Sequence, residues 1–280
     1  MRISEIVSEF SHQFRIAGIP GPILDAEILV AHAVGLERMR LHVGDDRELT
    51  PSELRRARRL ALRRLRREPV AYLTGRKEFY SLEFFVNRNV LIPRPETELL
   101  VDLAIYHTPQ GGLFADIGTG SGAVAIAVKH ARWDIRVHAT DLSERALVVA
   151  RRNASRILGR GAVHFHRGDL FSPLAWTRFD VIASNPPYVA HERAASLQPE
   201  IAYEPSQALF APNGGRAVIE RLVREAGAHL AEHGALIIEI GEDMAAFVKR
   251  IGAAAGFSVS VLNDYAGLPR VALMKRSQGG

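Results

Sequence analysis

The chain of 280 residues is 47% hydrophobic and 24% charged, has no cysteine and carries a formal net charge of +5. This length suits one large domain or two unequal ones, and the lack of cysteine excludes disulfides, thiolate metal sites and cysteine nucleophiles. No apolar run approaches the ~20 residues of a membrane span, and Met1-Arg2-Ile3-Ser4-Glu5 does not open the unbroken apolar stretch of a signal peptide; a soluble, cytoplasmic protein is expected. The basic balance permits nucleic acid or acidic protein as a partner. Arginine is the default cation, since lysine occurs only as Lys77, Lys129, Lys249 and Lys275.

The first quarter reads as helical. Ile3, Ile6, Val7, Phe10 and Phe14 recur at helical spacing before Gly18, and a second periodic stretch runs from Leu24 to about Gly35. A third helix starts at Thr50-Pro51-Ser52-Glu53, where Thr50 caps, Pro51 suits the first helical position and Glu53 closes a capping box. It is expected to run through Arg67, with Leu54, Ala57, Ala61 and Leu65 as its apolar stripe. Its arginines, from Arg55 to Arg67, read first as a solvated face in an arginine-biased chain and second as a patch for an acidic partner or RNA.

From Tyr72 to Ile92 the strand formers Phe79, Tyr80, Phe84, Phe85 and Val86 predict a β-hairpin, with Asn87-Arg88-Asn89 as a turn candidate. Pro95-Glu96-Thr97-Glu98 starts a helix. Strands are then predicted over Leu113–Gly118, Arg136–Asp141, Val163–Gly168, Asp180–Asn185, Ala235–Gly241, Phe257–Leu262 and Arg270–Lys275, with helical patterns between several of them. Such alternation argues for a mostly parallel sheet covered on both faces. The tail Ser277-Gln278-Gly279-Gly280 is expected to be disordered.

Asp116-Ile117-Gly118-Thr119-Gly120-Ser121-Gly122 joins an apolar strand to an apolar helix. Its G-x-G-x-G spacing differs from the dinucleotide fingerprint, and no lysine completes a P-loop. An anion-binding loop gains little from Asp116, whereas a ligand with an ammonium group gains a charge-assisted partner. S-adenosylmethionine has an ammonium, a sulfonium and no phosphate. Asp141 ends the next strand about twenty residues beyond the glycines, where an acid binds ribose hydroxyls. Asp169-Leu170 ends the following strand, placed to border an adenine ring. A plain βα turn and a helix N-cap are the bland readings of the loop and of Asp141 taken singly.

Asn185-Pro186-Pro187-Tyr188 follows Phe179-Asp180-Val181-Ile182-Ala183-Ser184. Proline cannot donate to the ladder, so the strand ends in a rigid loop at its carboxyl end, where open α/β sheets bind ligands. An amide or exocyclic amino nitrogen is a poor nucleophile because its lone pair is delocalised. Asn185 can accept from one N–H and a proline carbonyl from the other, aiming the lone pair at a methyl carbon, while Tyr188 offers a ring to a flat substrate. His164, His166 and His191 show no ligand or triad spacing, and no metal site is expected.

These motifs resemble the amino-group branch of class I methyltransferases. Leu91-Ile92-Pro93-Arg94-Pro95-Glu96-Thr97-Glu98, Glu68 to Gly75 with Glu78-Phe79, and Glu204-Pro205 with Ala208-Leu209 narrow the resemblance to the release factor glutamine N5-methyltransferases (the PrmC/HemK family). The resemblance implies an α/β, Rossmann-like seven-stranded methyltransferase domain (94–280) behind a small helical domain (1–75) for substrate recognition and a hairpin linker (76–93). It implies methyl transfer from S-adenosylmethionine to the glutamine of the Gly-Gly-Gln loop of peptide chain release factors, giving S-adenosylhomocysteine. Asp116, Gly118, Thr119, Gly120, Ser121, Gly122, Asp141, Asp169, Leu170 and Asn185 would hold the cofactor, and Asn185, Pro186, Pro187 and Tyr188 the glutamine, with Asn185, Pro186 and Tyr188 catalytic. Leu170 stands where relatives have an aromatic residue. A monomer that needs no direct nucleic-acid contact is expected. Two alternatives stay open: a methyltransferase for DNA adenine or rRNA purine amino groups, and a non-catalytic module that binds release factors or ribosomes.

Overall fold

The computed structural model describes residues 1–43, 46–175 and 177–277; the tail beyond Ser277, expected to be disordered, lies outside the described residues. The chain divides into two compact units, one of Met1–Arg76 with Gln198–Tyr203, the other of Lys77–Leu197 with the chain from Glu204 onward.

The first unit is helical: α1 (Ile3–Ile16), α2 (Pro22–Val34), α3 (Pro51–Leu65) and the short α4 (Val70–Thr74). Ile3, Ile6, Phe10 and Phe14 form the buried stripe of α1 and pack with Leu29, Val30, Leu60 and Leu73 into one apolar cluster. The Thr50 capping box forms, with Thr50 Oγ1 accepting from Glu53 N–H and Glu53 Oε2 accepting from Thr50 N–H at 2.8 Å. Helix α3 ends at Leu65 rather than at Arg67, because Arg67 turns into the left-handed region (φ 68°) and Glu68 N–H returns to Arg63 carbonyl oxygen.

The arginines of α3 do not form one face. Arg64 is 4% exposed. Its Nε donates to Asp25 at 2.7 Å and its Nη1 to Glu200 at 2.9 Å. Arg63 grips Glu68 with two hydrogen bonds, and Arg67 also reaches Glu200. Arg55, Arg56, Arg58, Arg59 and Arg66 remain exposed.

In the second unit the hairpin strands are β1 (Arg76–Phe79, which opens at the unit boundary) and β2 (Leu82–Phe85). The hairpin turns at Tyr80 and Ser81 (φ 52° and 56°), the paired left-handed residues that match the strands' twist. Asn87–Asn89 forms a separate turn after β2, with Asn89 N–H donating to Asn87 Oδ1. After α5 (Glu98–His107) come β3 (Leu113–Ile117), α6 (Ala123–Ala131), β4 (Arg136–Asp141), α7 (Glu144–Ile157), β5 (His164–Arg167) and β6 (Phe179–Ser184). The short turns α8 (Ser206–Leu209) and α9 (Pro212–Gly215) precede α10 (Ala217–His229), β7 (Leu230–Glu239), α11 (Ala245–Ala254), β8 (Phe257–Asn263) and β9 (Pro269–Arg276).

The seven-stranded sheet has the order β5-β4-β3-β6-β7-β9-β8. All pairs are parallel except those of β9, which runs antiparallel to β7 and β8. This is a Rossmann-like sheet whose order reverses beside β3, so the carboxyl ends of β3, β4 and β6 border one crevice. The register keeps those ends level, Ile117 lying beside both Thr140 and Ser184. Asn153, fully buried on α7, braces the crevice from below: its amide exchanges hydrogen bonds with Phe85 N–H and carbonyl and donates to Ser121 carbonyl at 2.9 Å.

Removing the Arg64 guanidinium leaves the shielded carboxylates of Asp25 and Glu200 without their shared counter-charge. Arg64→Ala should cost about 3–5 kcal/mol of stability, the range for breaking a buried ion pair from one side. Urea titration followed by circular dichroism measures it, and a loss within 1 kcal/mol (roughly a surface substitution) would show that the cluster is not structural.

Candidate active site

The glycine loop leaves β3 with Gly118 (φ 77°), Gly120 (φ 56°) and Gly122 (φ 82°) all left-handed, a path that L side chains resist. A Cβ built at Gly118 or Gly120 would meet nothing within 4 Å, whereas one at Gly122 would lie 2.8 Å from Ile126 Cδ1 and 3.2 Å from Ala150 Cβ. The first two glycines therefore face open space, and the third permits close packing of α6 on α7. Gly118 and Gly120 line a cleft whose other walls include Asp141, Leu142, Leu170, Asn185 and Leu222.

Asp141 is held rigidly on this wall: Oδ2 accepts from Gly120 N–H and Oδ1 from Ser143 N–H, each at 2.8 Å. Burial raises its pKa, against the pull of those two hydrogen bonds. Leu170 also lines the cleft, in a left-handed conformation (φ 47°) fixed by Thr140 Oγ1 donating to its carbonyl. Asp169 borders the same cleft and is paired with Arg221 at 2.9 Å.

The structure does not bring every expected residue to the wall. Asp116 is 2% exposed, and its Oδ2 accepts from Thr119 Oγ1 at 2.6 Å and from Ala125 N–H at 3.1 Å. Burial pushes its pKa up to about 6. Its carboxylate thus fills the place at the start of α6 where a bound phosphate would sit. Thr119 and Ser121 are buried too and shape the loop from behind: Thr119 N–H bonds Thr140 carbonyl, and Ser121 carbonyl receives Asn153.

Asn185 stands at the end of β6 and lines both this cleft and an adjoining recess shared by Leu91, Pro186, Pro187 and Tyr188. Asn185 Nδ2 donates to Thr97 Oγ1 at 3.1 Å. Thr97 Oγ1 in turn donates to Glu239 Oε2 at 2.6 Å, and Tyr188 hydroxyl donates to Glu239 Oε1 at 3.2 Å. Glu239 is 1% exposed. Burial raises its pKa, while Thr97, Tyr188 and Arg270 oppose the rise. Burial also raises the Tyr188 pKa strongly, with the Glu239 charge adding to it, so the phenol stays neutral and is no base. Arg94 also lines the recess and pairs with Glu204, which accepts from Ile92 N–H at 3.0 Å.

Thr97 and Glu239 form the network behind Asn185, and neither stands out in the sequence as a site candidate. Thr97 looked like part of a helix start. Glu239 carried a signal, being an acid inside the otherwise apolar run Leu236-Ile237-Ile238-Glu239-Ile240.

A seven-stranded sheet with one antiparallel strand, a glycine loop after β3 and Asn-Pro-Pro-Tyr after β6 define a class I methyltransferase. Residues 5–75 match the PrmC N-terminal domain and residues 95–215 the methyltransferase small domain. The release factor glutamine methyltransferase of Neisseria gonorrhoeae is 43% identical, over 91% of this chain and 93% of its own. That of Burkholderia pseudomallei is 42% identical, over 93% of this chain and 92% of its own. A solved methyltransferase from Pyrococcus furiosus shares the fold at TM-score 0.54 and 23% identity, over 71% of this chain and 90% of that one. The chain belongs to the release factor glutamine methyltransferase family. Among the described residues no helix is long and apolar enough to cross a membrane.

The histidines stand apart from the cleft. His164 and His166 of edge strand β5 lie beside His138 of β4, with His138 Nδ1 and His166 Nε2 3.0 Å apart and their rings stacked. Burial, with the neighbouring His164 and His166, lowers the His138 pKa to about 4. The folded protein then binds fewer protons than the unfolded chain between about pH 4 and the ordinary histidine value, ~6.5, so stability falls as pH drops through that window. His138→Gln should flatten this part of the curve of stability against pH. Denaturant titrations between pH 4 and 7 (about the window set by those pKa values) measure it, and an unchanged slope would acquit the cluster.

Proposed function

We propose that this chain transfers a methyl group from S-adenosylmethionine to the side-chain amide nitrogen of the glutamine in the Gly-Gly-Gln motif of peptide chain release factors. The observation that carries the reading is the Asn185 amide, whose NH₂ is engaged by Thr97 so that its carbonyl oxygen is left for a substrate N–H. The names of the relatives supply the substrate, and the cleft's chemistry fits the cofactor.

Gly118 and Gly120 leave room against the main chain, Asp141 presents fixed acceptors for ribose hydroxyls, and Leu142, Leu170 and Leu222 offer an apolar bed for a purine. Asp116 fills the α6 N-terminus, which suits a ligand without phosphate. When bound, S-adenosylmethionine supplies an electrophilic methyl carbon. Asn185 Oδ1 and the Pro186 carbonyl accept the two N–H groups of the glutamine amide and turn its lone pair toward the cleft. The net change breaks the donor's S–CH₃ bond, replaces one N–H by N–CH₃, and releases S-adenosylhomocysteine and a proton. Among the described residues no histidine lines the cleft or the recess, so rate comes from orientation and exclusion of water. The helical unit takes part in substrate recognition, and the exposed Arg55, Arg56, Arg58 and Arg59 favour encounter with an acidic partner surface.

Labelled S-adenosylmethionine offered with release factor or with nucleic acid tests the reading. Label on the release-factor glutamine supports it; label only on purine amino groups, or on neither, overturns it. Asp141→Ala should weaken cofactor binding by roughly 1.5–3 kcal/mol, the worth of hydrogen bonds to a charged group, and calorimetry showing unchanged affinity would remove Asp141 from the site. Asn185→Ala should spare most cofactor binding while lowering single-turnover methylation far more. Near wild-type turnover in that variant would sink the mechanism even if the family assignment stood.

A further inference from the structure

The polarity of Asn185 is imposed on it from behind. An asparagine amide presents an acceptor on one side and a donor on the other, and the loop backbone alone does not choose between them. The choice is made by Thr97 and Glu239. Thr97 Oγ1 has one hydrogen, and it is directed at Glu239 Oε2 across 2.6 Å, the length of a hydroxyl donating to a carboxylate. Toward Asn185, at 3.1 Å, Thr97 can then only accept. If Asn185 were turned over, its Oδ1 would face another acceptor. The same Glu239 receives Tyr188 through its other oxygen, so one buried side chain sets the far partners of both Asn185 and Tyr188. A proton on Glu239 Oε1, shared with Tyr188, would leave the Thr97 bond and the Asn185 polarity as they are.

We propose that Thr97, aligned by Glu239, is a specificity-determining positioning residue that keeps the Asn185 carbonyl oxygen toward the substrate and so admits an NH₂-bearing planar group while rejecting the isosteric carboxylate. The inference rests on the proposed amide-methylating function. In the proposed substrate pose the amide meets two acceptors, Asn185 Oδ1 and the Pro186 carbonyl, of residues that line the recess, and a carboxylate has only acceptors to offer in return. Leaving such groups unpaired is costly, which is how a polar site separates isosteres. Without the Thr97 hydroxyl, Asn185 can turn over and offer its NH₂ to the substrate side. The amide substrate then meets a donor facing a donor, and a carboxylate meets a partner.

The test uses the full chain with release factor carrying Gly-Gly-Gln, and with the same factor altered to Gly-Gly-Glu. Wild-type methylation of the Gly-Gly-Gln factor first checks the function itself, so failure there is distinct from failure of the inference. Thr97→Val keeps the volume and removes the hydroxyl. It should lower single-turnover methylation about 30-fold or more, with cofactor affinity within about threefold. Thr97→Ser, which keeps the hydroxyl, should recover most of the rate. Binding of the Gly-Gly-Glu factor is measured with S-adenosylhomocysteine present, so that no sulfonium attracts the carboxylate. Its disadvantage against Gly-Gly-Gln should shrink about tenfold in Thr97→Val. The proposal is overturned if Thr97→Val methylates at near wild-type rate, if Thr97→Ser is as impaired as Thr97→Val, if cofactor binding falls in parallel with rate, or if the preference for Gly-Gly-Gln stays unchanged.

Discussion

The hydrogen bond from Thr97 to the buried carboxylate of Glu239 is the contact on which the candidate site depends. Glu239 ends β7, the strand beside β6, and β6 delivers Asn185. An acid at 1% exposure is tolerated only if its oxygens are satisfied. Thr97 and Tyr188 satisfy them, each on a different oxygen. In doing so they become fixed themselves, and Thr97 passes that constraint to Asn185. A structural necessity, satisfying a buried carboxyl group, thus fixes which side of the Asn185 amide faces Thr97.

The cofactor side of the crevice follows a similar rule. Asp141 holds Gly120 N–H and Ser143 N–H, so the acid that faces the cleft also ties the glycine loop to the start of α7. Asn153 links the hairpin end at Phe85 to the loop at Ser121. Asp116 closes the start of α6 from inside. The loop is therefore prepared from three directions before any ligand arrives, which lowers the ordering cost of binding.

Much of this fold was legible because β3, β6 and β7 carry apolar runs bounded by glycine or proline, and all the predicted strands of the sheet are present. The loop and Asn-Pro-Pro-Tyr were legible for a related reason: unusual backbone demands require unusual residues. What escaped was set by tertiary partners. The hairpin turn fell on Tyr80-Ser81, which carries no strong turn signal, because Phe79 and Phe84 are both buried and fix the register. Arg64 looked like its exposed neighbours until Glu200, 136 positions away in the chain, proved to be its partner. Asp116 was expected to meet an ammonium; its Oδ2 holds Thr119 and Ala125, a use that depends on the depth of the loop rather than its spelling. Thr97 and Glu239 were separated by the whole of the sheet's first half and could be joined only by the fold.

The central claim, that Asn185 accepts from the glutamine amide beside a methyl donor, is most directly tested by a crystal structure with S-adenosylhomocysteine and a Gly-Gly-Gln peptide. The account predicts the glutamine nitrogen at about 2.7–3.2 Å from both Asn185 Oδ1 and the Pro186 carbonyl, with Asn185 Nδ2 still on Thr97 and the amide plane open toward the cofactor sulfur. A glutamine side chain bound away from Asn185, or an Asn185 amide that has left Thr97 to donate to the substrate, would contradict it.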